Sequence, residues 1–186
     1  MFDYQGKIIL VTGAAGNSGS AVVEAFLAAG GTVLALDHRM GRLPGRFDSI
    51  ETQGIVHYFE GVDLTERQAV LDLGKRVREQ IGLVDVIVNT VGGFTSGDPV
   101  YELNPETFQK MIDLNVKTML NTSAAFVPHL LESGGGKIIT LGSRSSLSGG
   151  AKTGAYAAAK GALLRLTESM AAELKGENVQ VNCVLP

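Results

Sequence analysis

Tyr156 and Lys160 stand four residues apart in an alanine-rich stretch, a spacing that sets both side chains on one face of a helix. A phenol titrates near ~10 when unperturbed, and a neighbouring ammonium favours its ionised form. Brought towards working pH, such a phenol is a usable general acid or base. Thirteen residues earlier lies Ser143, whose hydroxyl can hydrogen-bond a substrate oxygen. Near the other end of the chain Gly13, Gly16 and Gly19 recur every three residues. Glycines let backbone N–H groups approach a phosphate, and the unpaired amides at a helix start favour negative charge. Asp37 follows roughly 20 positions later, where a carboxylate can accept hydrogen bonds from an adenosine ribose. The chemistry on offer is proton exchange at an oxygen beside a bound dinucleotide. Tyr and Lys at this spacing also occur on plain exposed helix faces, so their meaning depends on what the chain brings beside them.

The elements needed to position these groups are legible. Ile8, Ile9, Leu10 and Val11 form a strand buried on both faces, as in a parallel sheet. The glycine turn follows at once, with the phosphates expected over residues 14–19, Asn17 and Ser18 included. A helix over Ser20–Ala29 has Val22, Ala25, Phe26 and Ala29 as its apolar face, and Gly30 ends it. Thr32–Leu36 is a second strand finishing on Asp37. Residues 38–54 read as a loop holding a short helix. Ile55–Phe59 is a third strand leading to Asp63 and Leu64. Thr65 and Gln68 have the form of a capping box ahead of Val70, Leu73, Val77 and Ile81. Val84–Val88 is a fourth strand with Asn89 at its carboxyl end and Gly92 in the loop beyond.

Asn104-Pro105 starts a helix expected to run to about Phe126, with Pro128 bending or ending it. Lys137–Leu141 is a fifth strand, Ala155–Lys175 a helix, and Val179–Leu185 a sixth strand containing Cys183, which reads as buried. Strands alternating with helices predict an α/β fold, a Rossmann-like doubly wound parallel sheet of order 3-2-1-4-5-6, over a single dinucleotide-binding domain spanning 1–186. Ligands of such sheets lie at the carboxyl ends of the strands, where the glycine turn, Asp37, Asp63 and Asn89 all fall.

The chain has 186 residues, 45% hydrophobic and 19% charged, which suits one sizeable core. Net charge is −3 and no basic patch is evident, which argues against nucleic acid and anionic membrane as partners. One cysteine excludes an internal disulfide. His38, His57 and His129 lack ligand-like spacing, so no metal is expected, and no Gly-x-Ser-x-Gly elbow or Gly-Lys-Ser/Thr turn occurs. No stretch reaches the length of a membrane span, and a cytoplasmic protein is expected. A methyltransferase on a similar sheet would explain the glycine turn and Asp37 but not the Tyr–Lys pair.

With TGAAGNSG at 12–19, Asp63-Leu64, NTVGG at 89–93, and Asn115, Ser143, Tyr156 and Lys160 in order, the sequence resembles the short-chain dehydrogenase/reductase family over essentially its whole length. The resemblance implies hydride transfer between a nicotinamide ring and an alcohol or ketone carbon. It makes Asn115, Ser143, Tyr156 and Lys160 a catalytic tetrad. Tyr156 exchanges the oxygen's proton, Ser143 positions that oxygen, Lys160 binds the nicotinamide ribose, and Asn115 holds a water in the relay from Lys160. The bland alternative for Asn115 is a polar group satisfying a helix kink. Gly13, Gly16, Asn17, Ser18, Gly19, Asp37, Asp63, Leu64, Asn89 and Gly92, with Tyr156 and Lys160, are the implied cofactor contacts. NAD(H) is expected over NADP(H), because Asp37 repels a 2′-phosphate and residues 14–18 hold no Lys or Arg.

The sequence departs from the family in three places. Asn17 stands where the commonest turn has glycine, a position the side chain's tolerance of a left-handed backbone would serve. Thr90-Val91 is bulkier than usual, which should narrow the nicotinamide pocket. Family members continue past the proline closing the sixth strand into a substrate-covering helical segment and a seventh strand, neither of which the sequence contains. A homodimer or homotetramer through the helices from Asn104 and Ala155 is implied, with Ala158, Ala159, Gly161 and Ala162 permitting close contact. The competing expectation is a dinucleotide-binding sensor that keeps the fold without turnover.

Overall fold

In the computed structural model, which describes residues 3–50 and 54–186, six parallel strands form one sheet in the order β3-β2-β1-β4-β5-β6. The strands are β1 (Ile8–Thr12), β2 (Thr32–Asp37), β3 (Ile55–Glu60), β4 (Val86–Asn89), β5 (Gly136–Leu141) and β6 (Val179–Val184). The connecting helices are α1 (Asn17–Ala28), α2 (Arg67–Gln80), α3 (Pro105–Ile112), α4 (Thr118–Glu132) and α5 (Gly154–Glu173). Strand order reverses between β1 and β4, so their carboxyl ends diverge into the crevice where such sheets bind ligands.

The central strands are apolar on both faces, and alternate residues serve different layers. Leu10, Leu34, Leu36, Ile87 and Ile138 pack with Val70, Leu73 and Val77 of α2 and Phe126 and Leu130 of α4. Ile9, Val11, Val33, Ala35, Val86 and Val88 pack on the other side with Val23 and Leu27 of α1. A third cluster joins Met111 and Val116 to Ala155 and Ala159, seating α5 against the helix before it.

Several local expectations are corrected. In α1 the buried face is Gly19, Ser20, Val23 and Leu27, and Val22 and Phe26 only flank it. Leu27 fills the core position that the sequence pattern gave to Phe26, so the buried face lies one residue further round the helix, which begins at Asn17, a turn earlier than the apolar periodicity suggests. The capping box does not form: Thr65 turns back to Asp63, and the cap of α2 is Glu66 without a side-chain bond. The helix from Asn104 does not end near Phe126 or at Pro128. Pro128 lies exposed within α4, which continues to Glu132, so the carbonyl that its missing N–H frees is close to water.

Residues 38–50 contain turns and no helix, and Glu51, Thr52 and Gln53 lie outside the described residues. Glu60 holds this loop, accepting from the amides of Gly41, Arg42 and Leu43 at 2.7–2.8 Å. These bonds, that of Leu43 foremost, pull its carboxyl below the ordinary range. Leu43 and Phe47 are thereby buried in the α1-side core. Cys183 is half-buried, not buried. Among the described residues no helix is long and apolar enough to cross a membrane.

Candidate active site

The glycine turn is built as a phosphate cradle. Gly13 takes φ +66°, a left-handed backbone that a side chain would strain, and Gly16 N closes the turn on Gly13 O at 2.9 Å. A Cβ on Gly19 would lie 2.2 Å from Gly13 O, so only glycine lets the turn fold against the first turn of α1. Asn17 and Ser18 are exposed on that turn. Asn17 is helical, with Gly16 as the cap, so its tolerance of a left-handed backbone is not drawn upon.

Beside the turn, Gly13, Leu36, Asp37, His38, Asp63 and Leu64 line a cleft of about 180 Å³ together with Val62, Thr65, Val91, Leu114 and Thr118. Asp37 is 4% exposed. Its Oδ2 accepts from Ala15 N at 3.2 Å, and its Oδ1 accepts from Arg39 N at 3.0 Å and Arg39 Nε at 3.4 Å. The carboxylate thus ties the glycine turn to the end of β2. Asp63 accepts from Thr65 N and Oγ1, both at 2.8 Å, and these bonds hold its carboxyl below the ordinary range. Asn89 is buried beneath the rim and lines neither this cleft nor the next. Its Nδ2 reaches Thr140 Oγ1 at 3.5 Å.

A second cleft, of about 420 Å³, opens at the carboxyl ends of β4 and β5 and brings together Asn115, Ser143, Tyr156 and Lys160 with Gly92, Phe94 and Pro186. Four groups separated by up to 45 positions in sequence therefore share one concave site. Tyr156 and Lys160 project from the first turns of α5, as the helical spacing predicts. The Tyr156 ring meets Phe94 edge-on, centroids 4.9 Å apart, and no described residue hydrogen-bonds its hydroxyl. Ser143 caps the short 3-10 turn Arg144–Ser146, its Oγ accepting from Ser145 N at 3.2 Å.

Lys160 is 5% exposed and donates to Leu141 O at 2.8 Å. Burial pulls its ammonium below the ordinary lysine range, with the Cys183 thiol opposing. Asn115 sits in a π turn (Asp113–Lys117) that joins α3 to α4. Its Nδ2 donates to Met111 O and to Gly93 O, both at 3.0 Å, and its Oδ1 accepts from Gly93 N at 3.2 Å. The kink-satisfying reading therefore describes its Nδ2, and one Oδ1 lone pair remains. A Cβ on Gly92 would lie 2.8 Å from Asn115 Oδ1 and 3.3 Å from Lys160 Nζ, so both polar groups converge on that glycine.

Of the bulky pair Thr90-Val91, Thr90 lines this cleft and Val91 lines the Asp37 cleft. Thr90 Oγ1 donates to Thr12 O at 2.6 Å, joining β4 to β1, while Val91 turns to the Asp37 side and packs over Gly13. Phe94, Thr118, Leu114 and Glu60 were not singled out by the sequence. An aromatic immediately after the glycine pair was the available signal for Phe94, and the π turn that aims Leu114 and Thr118 has no signature in residue types.

A doubly wound parallel sheet with a glycine turn at its switch point, a buried carboxylate after β2 and a Ser–Tyr–Lys cleft on the same rim defines the class of NAD(P)-dependent oxidoreductases acting on CH–OH groups. The family model described as short chain dehydrogenase matches residues 7–186, and the chain belongs to that family. It is 30% identical over 183 residues to a 2-dehydro-3-deoxy-L-rhamnonate dehydrogenase (NAD(+)) of a Sphingomonas species, covering 98% of this chain and 72% of that one. L-sorbose reductase from Gluconobacter frateurii, solved with NADPH and L-sorbose, superposes with TM-score 0.90 at 26% identity, covering 99% of this chain and 70% of that one. A 7α-hydroxysteroid dehydrogenase solved with NADH and 7-oxo glycochenodeoxycholic acid gives TM-score 0.88 at 27% identity, covering 99% and 71%. All three are dehydrogenases or reductases by name, which lends nothing to the non-catalytic sensor.

Proposed function

We propose that the protein oxidises an alcohol or reduces a ketone with NAD(H), using Tyr156 as general acid and base. The observation that carries this reading is the convergence of Asn115, Ser143, Tyr156 and Lys160 in one cleft beside the glycine turn. The residues fit a dinucleotide: Gly13 and Gly19 leave room only for backbone at the turn, and Gly92 opens space between Asn115 and Lys160 that a Cβ would fill. Bound nicotinamide supplies or accepts the hydride.

The chain's own groups do the rest. Tyr156 gives or takes the proton at the substrate oxygen, and the absence of a described partner leaves its hydroxyl available to that oxygen. Ser143 Oγ, oriented by Ser145 N, donates to the same oxygen. Lys160 places positive charge in the cleft and holds a ribose hydroxyl, with Leu141 O fixing the ammonium in place. Asn115, both of whose amide hydrogens are engaged within the chain, uses the free lone pair of Oδ1 to hold a water facing Lys160. Asp37 receives the adenosine ribose and disfavours a 2′-phosphate, which supports NAD(H) although both NADH and NADPH occur among the relatives' complexes.

Replacing Tyr156 with Phe is the test. Turnover of alcohols and ketones should fall below detection while NAD(H) binding stays within about twofold of wild type, because the ring and its contact with Phe94 survive and only the hydroxyl is lost. Retained turnover would overturn the assignment. A homodimer or homotetramer through the helix that starts at Asn104, α3 continued by the π turn into α4, and through α5 is proposed with it. Ala159 is buried within the chain, but Ala158 remains exposed on α5, and Leu120 is 42% exposed on α4.

A further inference from the structure

The helix formed by α3, the π turn and α4 touches both halves of the rim. Asn115, inside the wide turn, clasps Gly93 on the loop after β4. Six residues on, Asn121 is 3% exposed and directs its Nδ2 at the loop after β3, donating to Leu64 O at 2.9 Å and Thr65 O at 3.2 Å. Leu64 and Thr65 line the 180 Å³ cleft with Asp63, whose carboxylate is in turn held by Thr65 N and Oγ1. Leu114 and Thr118, on the same helix, line that cleft too.

Two adjacent carbonyls satisfied by one amide fix the loop in a single conformation. A buried amide is costly unless both its hydrogens find partners, so either the loop takes that shape or Asn121 is left unsatisfied. The π turn is part of the device. An extra residue in a helix rotates everything after it by about 100°, so removing it would swing Asn121 away from the loop while Asn115 still met Gly93.

We propose that Asn121 is a positioning residue for the adenosine half of the dinucleotide, setting the Asp63–Thr65 loop from the same helix that sets Gly93. The inference rests on placing the adenosine half in the Asp37 cleft, as proposed above. Its substitution acts on one half of the cofactor and leaves the chemistry alone.

ADP-ribose and nicotinamide mononucleotide, titrated separately into the full chain, test this. Asn121→Asp removes the donated hydrogens with little change of shape, and Asn121→Ser shortens the reach without adding charge. Both should weaken ADP-ribose and NAD(H) by the same factor, about tenfold, with nicotinamide mononucleotide unchanged and kcat at saturating cofactor within about twofold. Equal weakening of both fragments, or unchanged ADP-ribose binding by either folded variant, would overturn the proposal. Wild-type protein that binds nicotinamide mononucleotide but not ADP-ribose would overturn the placement of the adenosine half, and this inference with it.

Discussion

Gly92 shows how much of the site depends on an atom that is missing. A methyl there would press on Asn115 Oδ1 and Lys160 Nζ at once, so Gly92→Ala should break the clasp on Gly93 and displace the lysine. Misplacement on that scale costs about 100-fold, and kcat/KM should drop by at least that much in steady-state assays. Asp37 carries a different prediction. Replacing it with Ser removes the acceptor of Ala15 N and the anion facing the ribose, so the Kd for NAD(H) should rise about 10- to 100-fold. The Kd for NADP(H) should fall at the same time, since Arg39 is freed from its ion pair with Asp37. Titrating both cofactors into the wild type and the variant checks it, and tighter NADP(H) binding by the wild type would reverse the cofactor assignment. At this scale the sequence was informative where the chemistry demands a residue type: the glycines, Asp37, Ser143, Tyr156 and Lys160 all lie on the rim. It was silent where position depends on backbone course. Nothing in the letters of Asn89 distinguishes a buried strand-end amide from a ligand contact, and Glu60 acts through three amides whose convergence only the folded loop creates.

Among the elements, α4 links the core to the site and carries a titratable group for structural reasons. His129 is 4% exposed, and its Nδ1 accepts from Val84 N at 3.3 Å, ahead of β4. Burial first and Arg78 second lower its pKa from the ordinary 6.5, against opposing contributions from the Gly74 backbone and Glu132. The unfolded chain therefore binds a proton that the folded chain resists. As pH falls below about 6.5, stability should decline, levelling off only once the folded-state imidazole also protonates. Chemical denaturation between pH ~7 and ~5 should show that slope, and His129→Gln should flatten it. The strands and the α5 spacing were readable because short consecutive apolar runs and i, i+4 projection are local. The π turn, the continuation of α4 past Pro128 and the failed capping box were not. Each is decided by a partner elsewhere: Gly93 for Asn115, solvent beside Pro128, Asp63 for Thr65.

At the scale of the whole molecule, the fold puts the two clefts on one rim of the sheet, on either side of the glycine turn. Alternating apolar runs and right-handed crossovers make a doubly wound parallel sheet derivable from the sequence, and the glycine turn after the first strand with Asp37 closing the second points to the dinucleotide-binding order; the course of residues 38–50 has no such guide. Assembly is the prediction that belongs here. Light scattering at micromolar concentration should give a dimer or tetramer mass, and a charge placed by Ala158→Glu should reduce it without unfolding the chain; a monomeric wild type would contradict the proposed interface.

The most direct measurement is a crystal structure with NAD(H) and a ketone or alcohol bound. The dinucleotide should lie along the rim, its adenosine ribose on Asp37, its pyrophosphate over residues 14–19, and the substrate oxygen should be hydrogen-bonded by Tyr156 and Ser143. A Tyr156 hydroxyl turned away from the substrate oxygen, or a dinucleotide lying elsewhere than between Asp37 and Lys160, would contradict the proposed function.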